Sequence, residues 1–542
     1  MNNNAVFNFQ LPVNEPIKTY LEGSPERVAL DNELKRQSST IIDIPLIIGG
    51  KEVRTGNTGV VVMPHNHKHV LATYHKASEK EVQMAIDSAM QAHQQWSQMD
   101  WRDRASVMLK AADLLAGKYR PIINAATMLG QSKNIFQAEI DSACELIDFL
   151  RYNVAFASKI YSNQPKSAPG QINSLEYRAL EGFILAVSPF NFTSIASNLN
   201  MAPAMMGNTT VWKTSTTAIL SNYYLMQLFI EAGLPAGVVN FLCGSGALIG
   251  KVCLNSPDFG GIHFTGSSAT FNNLWNQVGV NLSKYKTFPR LVGETGGKDF
   301  IFVHPSACSK AVANAAFCGA FEYQGQKCSA ASRMYVPESL WPEVLKGIQE
   351  RASQVKMGDV MDADNFINAV IDQASFDNIA SYIDYAKASS NAKIVVGGNY
   401  DKSVGYFVEP TVIQTTDPHF KSMEEEIFGP VLTVYVYPDN NLEQALKLCD
   451  TTSPYGLTGA VFARDREAVQ KMSDMLRYAA GNFYINDKPT GAVVGMQPFG
   501  GSRASGTNDK AGAEFNLLRW VTPRTIKETL VSPTSFKYSY MK

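Results

Sequence analysis

Apolar residues recur at helical spacing over residues 78–160 of this chain. The stretch "SEKEVQMAIDSAMQAHQQW" opens with Ser78 and has Glu81 three positions later, which is the signature of a capping box at a helix start. The stretch "RASVMLKAADLLAGKY" continues the same spacing and stops near Gly117. The pattern therefore predicts a helical region, with one helix ending near this glycine.

From residue 183 the pattern changes to short apolar runs separated by helix-like segments. Strands that alternate with helices are typical of parallel sheets that bind nucleotides at their strand ends. We therefore predict an α/β protein with two such domains. The first alternation has strands at "FILAVSP", "TTVWKTS", "GVVNFLCG" and "GGIHFTGS", with helices at "SNLNMAPAMMGN", 217–231, 246–254 and 269–282. The second begins at "KDFIFVHP" and continues through "SRMYVP", "AKIVVGG", "VLTVYVYP" and "TGAVFA".

Three segments lie outside this alternation. Residues 1 to about 45 are weakly patterned and are predicted to wrap the surface. The stretch "YSNQPKSAPGQINSLEYRALEG" contains two prolines, and the tail after about residue 515 has no helix–strand alternation. We predict that these two segments are extensions that pair with another subunit.

Composition excludes several classes of function. The 542 residues are 45% hydrophobic and 18% charged, with a formal net charge of −1, so no basic stripe is available for nucleic acid. No run of about 18 apolar residues exists that would span a membrane. The N-terminus lacks the patterns of a secretory signal and of an arginine-rich transit peptide. Cytoplasm is the expected compartment, or the mitochondrial matrix if the source is a eukaryote.

Cysteine and histidine usage argues against a metal site. The seven cysteines are scattered and never have CxxC spacing, which disfavours a disulfide framework and a zinc site and fits a reducing compartment. His65, His67 and His69 alternate in "PHNHKHV" and would share one face of a strand. No cysteine or carboxylate stands near them in sequence to complete a metal site. A solvated strand entry is the favoured interpretation, and no metal is expected.

One cysteine stands in a polar setting. Cys328 lies in "FEYQGQKCSA", where Gly325 allows close backbone approach and Lys327 adds positive charge. A free cysteine is usually packing material, so a partner elsewhere must support a nucleophilic role. Glu294 in "LVGETGGKDF" is a candidate, because a thioester needs a base that activates water. Taken alone, this glutamate would be interpreted as a solvated turn residue.

Other polar residues follow predicted strands. Asn191 comes just after "AVSPF", where its amide can donate a hydrogen bond to a developing oxyanion, although an Asx-turn explains it equally well. The stretch "CGSGALIG" is GxGxxxG rather than GxGxxG and is a weak nucleotide-binding signal. The "HFTGS" turn at 263–267 is suited to a pyrophosphate at a helix N-terminus.

Together these motifs resemble the aldehyde dehydrogenase superfamily. The resemblance rests on "PFNFT", "WKTS", "FTGS", "GETGG", "GQKC" and "EEIFGPV", and on longer stretches such as "QPFGGSRASGTNDKAG", and it extends from about residue 42 to 542. It implies two Rossmann-type α/β domains and an oligomerisation β-flap. The implied divisions are an N-terminal extension (1–45), an NAD-binding domain (46–162 and 184–293), oligomerisation segments (163–183 and 515–542) and a catalytic domain (294–514).

The resemblance also implies catalytic roles. Cys328 is similar to the family's nucleophile, whose thiolate attacks an aldehyde carbon. The Asn191 amide and the backbone N–H of Cys328 would hold the resulting alkoxide. Hydride would leave for the nicotinamide of NAD, and Glu294 would activate the water that hydrolyses the thioester.

The implied cofactor is NAD. Lys213 would bind an adenosine-ribose hydroxyl and Glu426 the nicotinamide ribose. Several superfamily members carry glutamate three residues after this lysine, but Thr216 stands here, so charge alone does not reject a 2′-phosphate. The implied cofactor contacts are Ser188, Lys213, Gly266, Ser267, Ser268, Ala269, Thr270, Glu426 and Phe428.

The longest matching stretches are similar to the branch that oxidises L-glutamate γ-semialdehyde, the second step of proline degradation. In that branch Ser329 and the backbone N–H groups of Gly491 and Ala492 would bind the α-carboxylate. Some members have serine where Ala492 stands, so one hydroxyl donor is absent here. The remaining implied substrate contacts are Phe192 and Phe499 beside the methylene chain and Glu145 near the amine.

Alternatives remain open at this point. The chain could oxidise another semialdehyde, although the loop "TGAVVGMQPF" argues against this. It could be a binding protein on an inactive scaffold, or a thiol-dependent acyl transferase, since that chemistry also passes through a thioester. The resemblance further implies a homo-oligomer, with a dimer expected, and a separate proline-oxidising enzyme.

Overall fold

The computed structural model describes residues 9–542. Its α-helices lie between Pro25 and Leu518. Shorter helical segments of other types occur at Glu139–Glu145 (π-helix) and at Leu282–Lys284, Glu322–Gly325 and Asp439–Asn441 (3₁₀). The α-helices are α1 Pro25–Ser39, α2 Glu79–Trp96, α3 Trp101–Ala116, α4 Arg120–Gln131, α5 Ile135–Ala138, α6 Leu146–Ser162, α7 Thr193–Met205, α8 Ile219–Glu231, α9 Gly246–Asn255, α10 Ser268–Asn281, α11 Ser309–Phe321, α12 Trp341–Ala352, α13 Gln373–Ala388, α14 Lys421–Glu424, α15 Leu442–Thr451, α16 Arg466–Met475 and α17 Glu514–Leu518.

The strands fall into two large sheets and several small ones. They are β1 Ile42–Ile44, β2 Leu46–Ile48, β3 Lys51–Val53, β4 Thr58–Met63, β5 Asn66–His75, β6 Gln171–Ala179, β7 Phe183–Val187, β8 Thr210–Lys213, β9 Val239–Leu242, β10 Phe259–Thr265, β11 Arg290–Glu294, β12 Asp299–Val303, β13 Ala331–Pro337, β14 Lys356–Met357, β15 Asn365–Ile367, β16 Ala392–Val396, β17 Tyr400–Asp401, β18 Phe407–Val408, β19 Thr411–Thr415, β20 Val431–Tyr437, β21 Tyr455–Gly456, β22 Thr458–Phe462, β23 Asn482–Ile485, β24 Ser502–Arg503 and β25 Val521–Thr529.

The first large sheet has seven strands in the order β11-β10-β7-β8-β9-β2-β3. Strands β7 to β11 are mutually parallel. On the side of β9, strand β2 pairs antiparallel with β9, and β3 pairs antiparallel with β2 and forms the edge. The second large sheet has the order β16-β19-β20-β13-β12-β22-β23, and β16 is its antiparallel member. In both sheets the inner strands are buried, because helices cover the faces of parallel sheets. The prediction of two α/β sheet units is confirmed.

Helix starts follow the capping signals in the sequence. Ser78 accepts a hydrogen bond at the start of α2, and the Glu81 carboxylate accepts one from the Ser78 backbone N–H, so the predicted capping box is confirmed. Helix α3 ends at Ala116, with Gly117 as its C-cap, also as predicted. The helical pattern did not predict α1, whose signals are the N-cap Ser24 and Pro25 in the first turn. Only a narrow stripe of α1 is buried, so its apolar periodicity is weak.

Strands β6 and β25 pair antiparallel over their full lengths, from Gln171 with Thr529 to Ala179 with Val521. We call this pair the ribbon. Most of its residues are exposed or half-buried. The role of the ribbon in pairing with a second subunit stays a prediction, as do the predicted domain boundaries. The part of the predicted N-terminal extension before residue 9 lies outside the described residues.

The histidine cluster differs from the prediction. His65 is 3% exposed, and its Nε2 lies 3.4 Å from a carboxylate oxygen of Asp359. The interpretation as a solvated strand entry is therefore wrong for His65, because the chain around residues 404–406 pairs with this segment and covers it. Across residues 9–542, no group of three or more His, Cys, Asp or Glu side chains could hold a metal ion. In the same residues, no helix is both long and apolar enough to cross a membrane.

Candidate active site

Cys328 lies at the end of a strained turn between α11 and β13. Tyr323 and Gln324 have positive φ angles of 51° and 55°. Residues other than glycine adopt this backbone conformation at a cost of about 1–3 kcal/mol each. The Gln324 amide donates to the carbonyls of Ser132 (3.0 Å) and Ala369 (2.8 Å), and the Tyr323 hydroxyl donates to that of Gln131 (3.0 Å). These bonds hold the turn in place, and the cysteine three residues later is half-buried.

The structure brings Asn191 to this turn. Its side-chain amide donates to the Gln326 carbonyl at 3.0 Å, two residues before Cys328. Asn191 is 3% exposed, so its amide is shielded from water. An amide has two N–H groups, and the second is available to another acceptor beside the cysteine.

A carboxylate fixes the start of the helix that follows Asn191. Asp141 accepts hydrogen bonds from the backbone N–H groups of Thr193 and Ser194, both at 3.0 Å, and from the Ser194 hydroxyl at 2.8 Å. The residue before α7, Phe192, supplies no side-chain cap, so Asp141 satisfies donors that would be orphaned and places negative charge at a helix N-terminus. Sequence reasoning missed Asp141, because no sequence pattern links it to a helix about fifty residues later.

Lys133 pairs with this carboxylate. Its Nζ lies 2.6 Å from Asp141, and both side chains are 1% exposed. The ammonium also lies 4.2 Å from the ring centroid of Phe192 and 4.4 Å from that of Tyr323. Burial lowers the pKa of Lys133, an effect that its anionic partner opposes. Lys133 thus contacts both the turn that carries Asn191 and the turn that carries Cys328, and sequence reasoning missed it too.

Glu294 is the last residue of β11. Its backbone carbonyl accepts from Gly266 N–H at 3.2 Å, and its carboxylate accepts from Gly501 N–H at 3.4 Å. Burial raises the pKa of this carboxyl well above its usual value. Burial also raises the pKa of the Cys328 thiol, and the nearby carboxylates Asp299 and Glu294 raise it further. The charge of Glu294 therefore affects the ionisation of Cys328.

Glu426 reaches the glycines that follow Glu294. Its carboxylate accepts from Gly297 N–H at 2.8 Å, and burial raises its pKa to about 7. A Cβ atom on Gly296 would overlap the Glu426 carboxylate, so only glycine fits there. Phe428 has a positive φ of 59°, and its ring meets Phe190 edge-to-face with 5.7 Å between centroids.

Seven of the nine candidate cofactor residues, Ser188, Lys213 and residues 266–270, lie where parallel strands of the first sheet end. Lys213 ends β8, and its Nζ lies against Gly246 at the start of α9. Burial lowers the pKa of this ammonium. Ser188, after β7, accepts a hydrogen bond from the Trp212 indole at 3.0 Å. The carboxyl ends of parallel strands meet at one edge of a sheet, where ligands of such folds bind.

The turn after β10 lies at the same edge. Ser267 caps α10 by accepting from the backbone N–H of Thr270 at 3.2 Å, and the Ser268 hydroxyl donates to the Ala504 carbonyl at 3.0 Å. Gly266 is hydrogen-bonded to Glu294, and Ala269 is exposed in the first turn of the helix. Of the nine predicted cofactor residues, Gly266 to Thr270 thus form one turn next to the catalytic candidates.

The candidate substrate residues come from four parts of the chain. The Ser329 hydroxyl lies 2.8 Å from that of Thr490, which precedes the exposed Gly491 and the half-buried Ala492. Phe499 exchanges two backbone hydrogen bonds with Ala511, at 2.9 and 2.8 Å, which fixes the end of that loop.

Glu145 is the last residue of the π-helix. Its carboxyl group lies 2.7 Å from the Ser194 hydroxyl, so it is beside the start of α7. Burial raises its pKa to about 8, and the charge of Asp141 adds to that shift. Glu145 is therefore held next to the segment that contains Asn191 and Phe192.

Comparison with known proteins accounts for this arrangement. A family model described as "Aldehyde dehydrogenase family" matches residues 53–526. The chain belongs to the aldehyde dehydrogenase family. This confirms the resemblance in the motifs and the expected fold.

Individual aldehyde dehydrogenases match almost end to end. The chain is 53% identical to a Dictyostelium discoideum protein named delta-1-pyrroline-5-carboxylate dehydrogenase, mitochondrial, over 100% of this chain and 98% of that one. A crystal structure of Delta-pyrroline-5-carboxylate dehydrogenase from Mycobacterium tuberculosis bound with NAD has a TM-score of 0.96 at 50% identity and covers 100% of both chains. A Thermus 1-pyrroline-5-carboxylate dehydrogenase with bound NAD has a TM-score of 0.90 at 32% identity, covering 96% of this chain and 100% of that one.

Proposed function

We propose that this aldehyde dehydrogenase oxidises L-glutamate γ-semialdehyde, formed by hydrolysis of 1-pyrroline-5-carboxylate, to L-glutamate with NAD. The observation that carries the proposal is the contact of Asn191 with Gln326, which places an amide donor two residues from Cys328. The charge of Glu294 also contributes to raising the pKa of this thiol. The names of the matched relatives support the choice of substrate, and two solved relatives with bound NAD support the choice of cofactor.

The first step uses Cys328. Its thiol loses a proton to water, and the thiolate forms a bond to the aldehyde carbon while the carbonyl π electrons move to the oxygen, which becomes an alkoxide. The second N–H of the Asn191 amide and the backbone N–H of Cys328 would hold this oxygen. The hydrogen bond from Asn191 to Gln326 fixes the amide before substrate arrives, so little reorganisation is needed as charge develops.

NAD, when bound, supplies the acceptor for the hydride that leaves the substrate carbon. Lys213 and Glu426 would bind its ribose hydroxyls, and the turn from Gly266 to Thr270 would lie along it with Ser188 and Phe428. The fit rests on Lys213, whose ammonium is largely buried and has no hydrogen-bond acceptor in the part of the chain that is described. A ribose hydroxyl would satisfy this buried donor.

Glu294 completes the reaction. Its carboxylate would take a proton from water, and the hydroxide formed would attack the thioester carbon, break the C–S bond and release the Cys328 thiolate and the carboxylic acid. Because burial raises the pKa of Glu294, its ionised form is a stronger base than a solvated carboxylate. The same base favours hydrolysis over transfer of the acyl group to another acceptor.

Substrate choice would come from the far end of the site. Ser329 and the N–H groups of Gly491 and Ala492 would bind the α-carboxylate, and Glu145 would bind the α-ammonium. Phe192 and Phe499 would flank the methylene chain between them.

Assembly and location complete the proposal. We infer that the chain forms a homodimer through the ribbon, because the ribbon and the tail leave Ile526, Phe536 and Tyr540 exposed. Proline oxidation would be performed by a separate enzyme. The cytoplasm, or the mitochondrial matrix in a eukaryote, would hold the enzyme, and the Dictyostelium relative carries the word mitochondrial in its name.

Steady-state formation of NADH tests the proposal. We expect kcat/KM for 1-pyrroline-5-carboxylate to exceed that for succinate semialdehyde by at least 100-fold, because the latter lacks the ammonium group. Equal values for the two substrates would contradict the proposed substrate. Activity with NADP equal to that with NAD would contradict the proposed cofactor.

A further inference from the structure

The chain segment before α1 is hydrogen-bonded to the candidate substrate site. Residues 14–20, which we call the strap, run without regular secondary structure across the protein surface. The amino-acid sequence of the strap does not by itself indicate a role for this segment. Its hydrogen bonds reach the loop that follows Thr490, the π-helix that ends at Glu145, and helices α4 and α6.

Asn14 makes the first connection. Its amide donates to the Val494 carbonyl at 2.8 Å and to the Asp148 carboxylate at 2.8 Å, and its oxygen accepts from the Tyr152 hydroxyl at 3.0 Å. Both amide hydrogens and one acceptor position are thus used. Val494 is two residues after Ala492. Asn14 therefore connects helix α6 with the loop whose N–H groups are proposed to bind the substrate carboxylate.

The loop needs such a connection, because it has few others. Val494 is buried, but Gly491, Val493 and Met496 are exposed. Gly495 has a positive φ of 80°, and a Cβ atom there would overlap the Tyr152 ring. Within the loop, Val493 N–H donates to the Gln497 side chain at 3.0 Å. A loop of this kind has low local stability unless an outside group holds it.

The second connection reaches the π-helix. Glu139, at its first position, is fully buried and accepts from Lys18 N–H at 2.9 Å and from the Tyr20 hydroxyl at 2.7 Å. Arg120 bridges Glu139 and the strap residue Glu15, whose Oε1 lies 2.6 Å from the guanidinium. The π-helix carries Asp141 and Glu145, so the strap also supports the carboxylate proposed for the substrate ammonium.

We infer that the strap is a positioning element for substrate recognition and that Asn14 is its positioning residue, an inference that rests on the proposed function. It holds the loop with Gly491 and Ala492 at a fixed distance from the helix with Glu145. The α-carboxylate and the α-ammonium of the substrate would therefore be bound by two parts of the protein that the strap connects. The hydrogen bonds of Asn14 go to Asp148, Val494 and Tyr152 and not to the turn that carries Cys328, where the aldehyde end of the substrate would lie.

The experiment compares Asn14→Ala with Val13→Ala, whose side chain is 88% exposed and serves as the matched control. Each full-length variant is assayed with 1-pyrroline-5-carboxylate and with hexanal, an aldehyde without carboxylate or ammonium. For Asn14→Ala we expect a five- to tenfold rise in KM for the first substrate, the effect of about one hydrogen bond, with kcat within twofold. We expect kcat/KM for hexanal to change by less than twofold.

Hydrogen exchange of the peptide that contains residues 490–497 gives a readout that is independent of activity. We expect faster exchange in this peptide for Asn14→Ala and no change for Val13→Ala. An equal loss of kcat/KM for both substrates, or unchanged kinetics and exchange, would overturn the inference. If the wild-type enzyme does not prefer 1-pyrroline-5-carboxylate to hexanal, the proposed function fails, and the exchange result still decides whether Asn14 holds the loop.

Discussion

Lys133 and Asp141 form an ion pair that is buried on both sides, with 2.6 Å between Nζ and the carboxylate oxygen. The pair lies between the segment that carries Asn191 and the turn that leads to Cys328. An oxyanion donor and a nucleophile on separate parts of the chain must be held within a fraction of an ångström of each other. Together with the hydrogen bond from Asn191 to Gln326, this ion pair links their supporting segments.

The two members of the pair should respond differently to substitution. Asp141→Asn leaves a buried lysine unpaired and is expected to destabilise the protein by about 3–5 kcal/mol. Lys133→Met should cost less, because Asp141 keeps its three hydrogen bonds from Thr193 and Ser194. Urea denaturation of both variants checks this, and a larger loss for Lys133→Met would show that the helix cap matters less than the ion pair.

Cys328→Ala is expected to abolish aldehyde oxidation and to leave the affinity for NAD nearly unchanged, because in the proposed reaction this thiol forms the covalent bond to the substrate. NADH formation and NAD titration by fluorescence measure the two properties. Cys308→Ala, which removes another half-buried thiol, is the control. Retention of more than a few per cent of wild-type kcat in Cys328→Ala would refute the nucleophile.

Glu294→Gln should slow hydrolysis of the thioester more than its formation. Stopped-flow mixing is then expected to show a burst of NADH followed by a slow steady state, since the amide cannot accept a proton from water. If the burst rate and the steady rate fall together, Glu294 is not the base for the water.

The carboxyl of Glu145, whose pKa is raised to about 8, predicts a pH dependence of substrate selection. A carboxyl is neutral below its pKa and anionic above it, so attraction to the substrate ammonium increases as pH rises through about 8. The ratio of kcat/KM for 1-pyrroline-5-carboxylate to that for hexanal should therefore rise over this interval. The ratio cancels the titration of Cys328, which affects both substrates. Glu145→Gln is expected to flatten the profile, and an unchanged profile would remove Glu145 from the substrate site.

Ala492 tests the carboxylate site directly. Ala492→Ser should be mild, because the predicted donors are main-chain N–H groups, whereas Ala492→Asp places a negative charge where the carboxylate binds. We expect the aspartate to lower kcat/KM for 1-pyrroline-5-carboxylate at least tenfold more than that for hexanal. An unchanged ratio between the two substrates would place the carboxylate elsewhere.

The sequence predicted the sheets better than it predicted the support of the site. Buried parallel strands such as β7 and β12 are continuous apolar runs, so their signal is local and strong. The glycine-rich turns around the motif residues Cys328 and Glu294 are also visible in sequence, but the catalytic roles of these two residues stay predictions. The ion pair of Lys133 with Asp141 was not predicted, since it depends on which helix starts lie together in space. The π-helix was missed for a similar reason, because one extra residue per turn leaves little trace in apolar spacing.

The hydrogen bond from Asn14 to Val494 joins positions 480 residues apart. A contact of this separation cannot form until the ribosome has made more than nine-tenths of the chain. The first sheet, whose last strand ends at Glu294, can assemble earlier, and so can the strap contacts with Glu139, but the contact of Asn14 with the loop must wait until near the end of synthesis. Competence to recognise the substrate would therefore be acquired after the bulk of the fold, in a step that a folding experiment can separate in time.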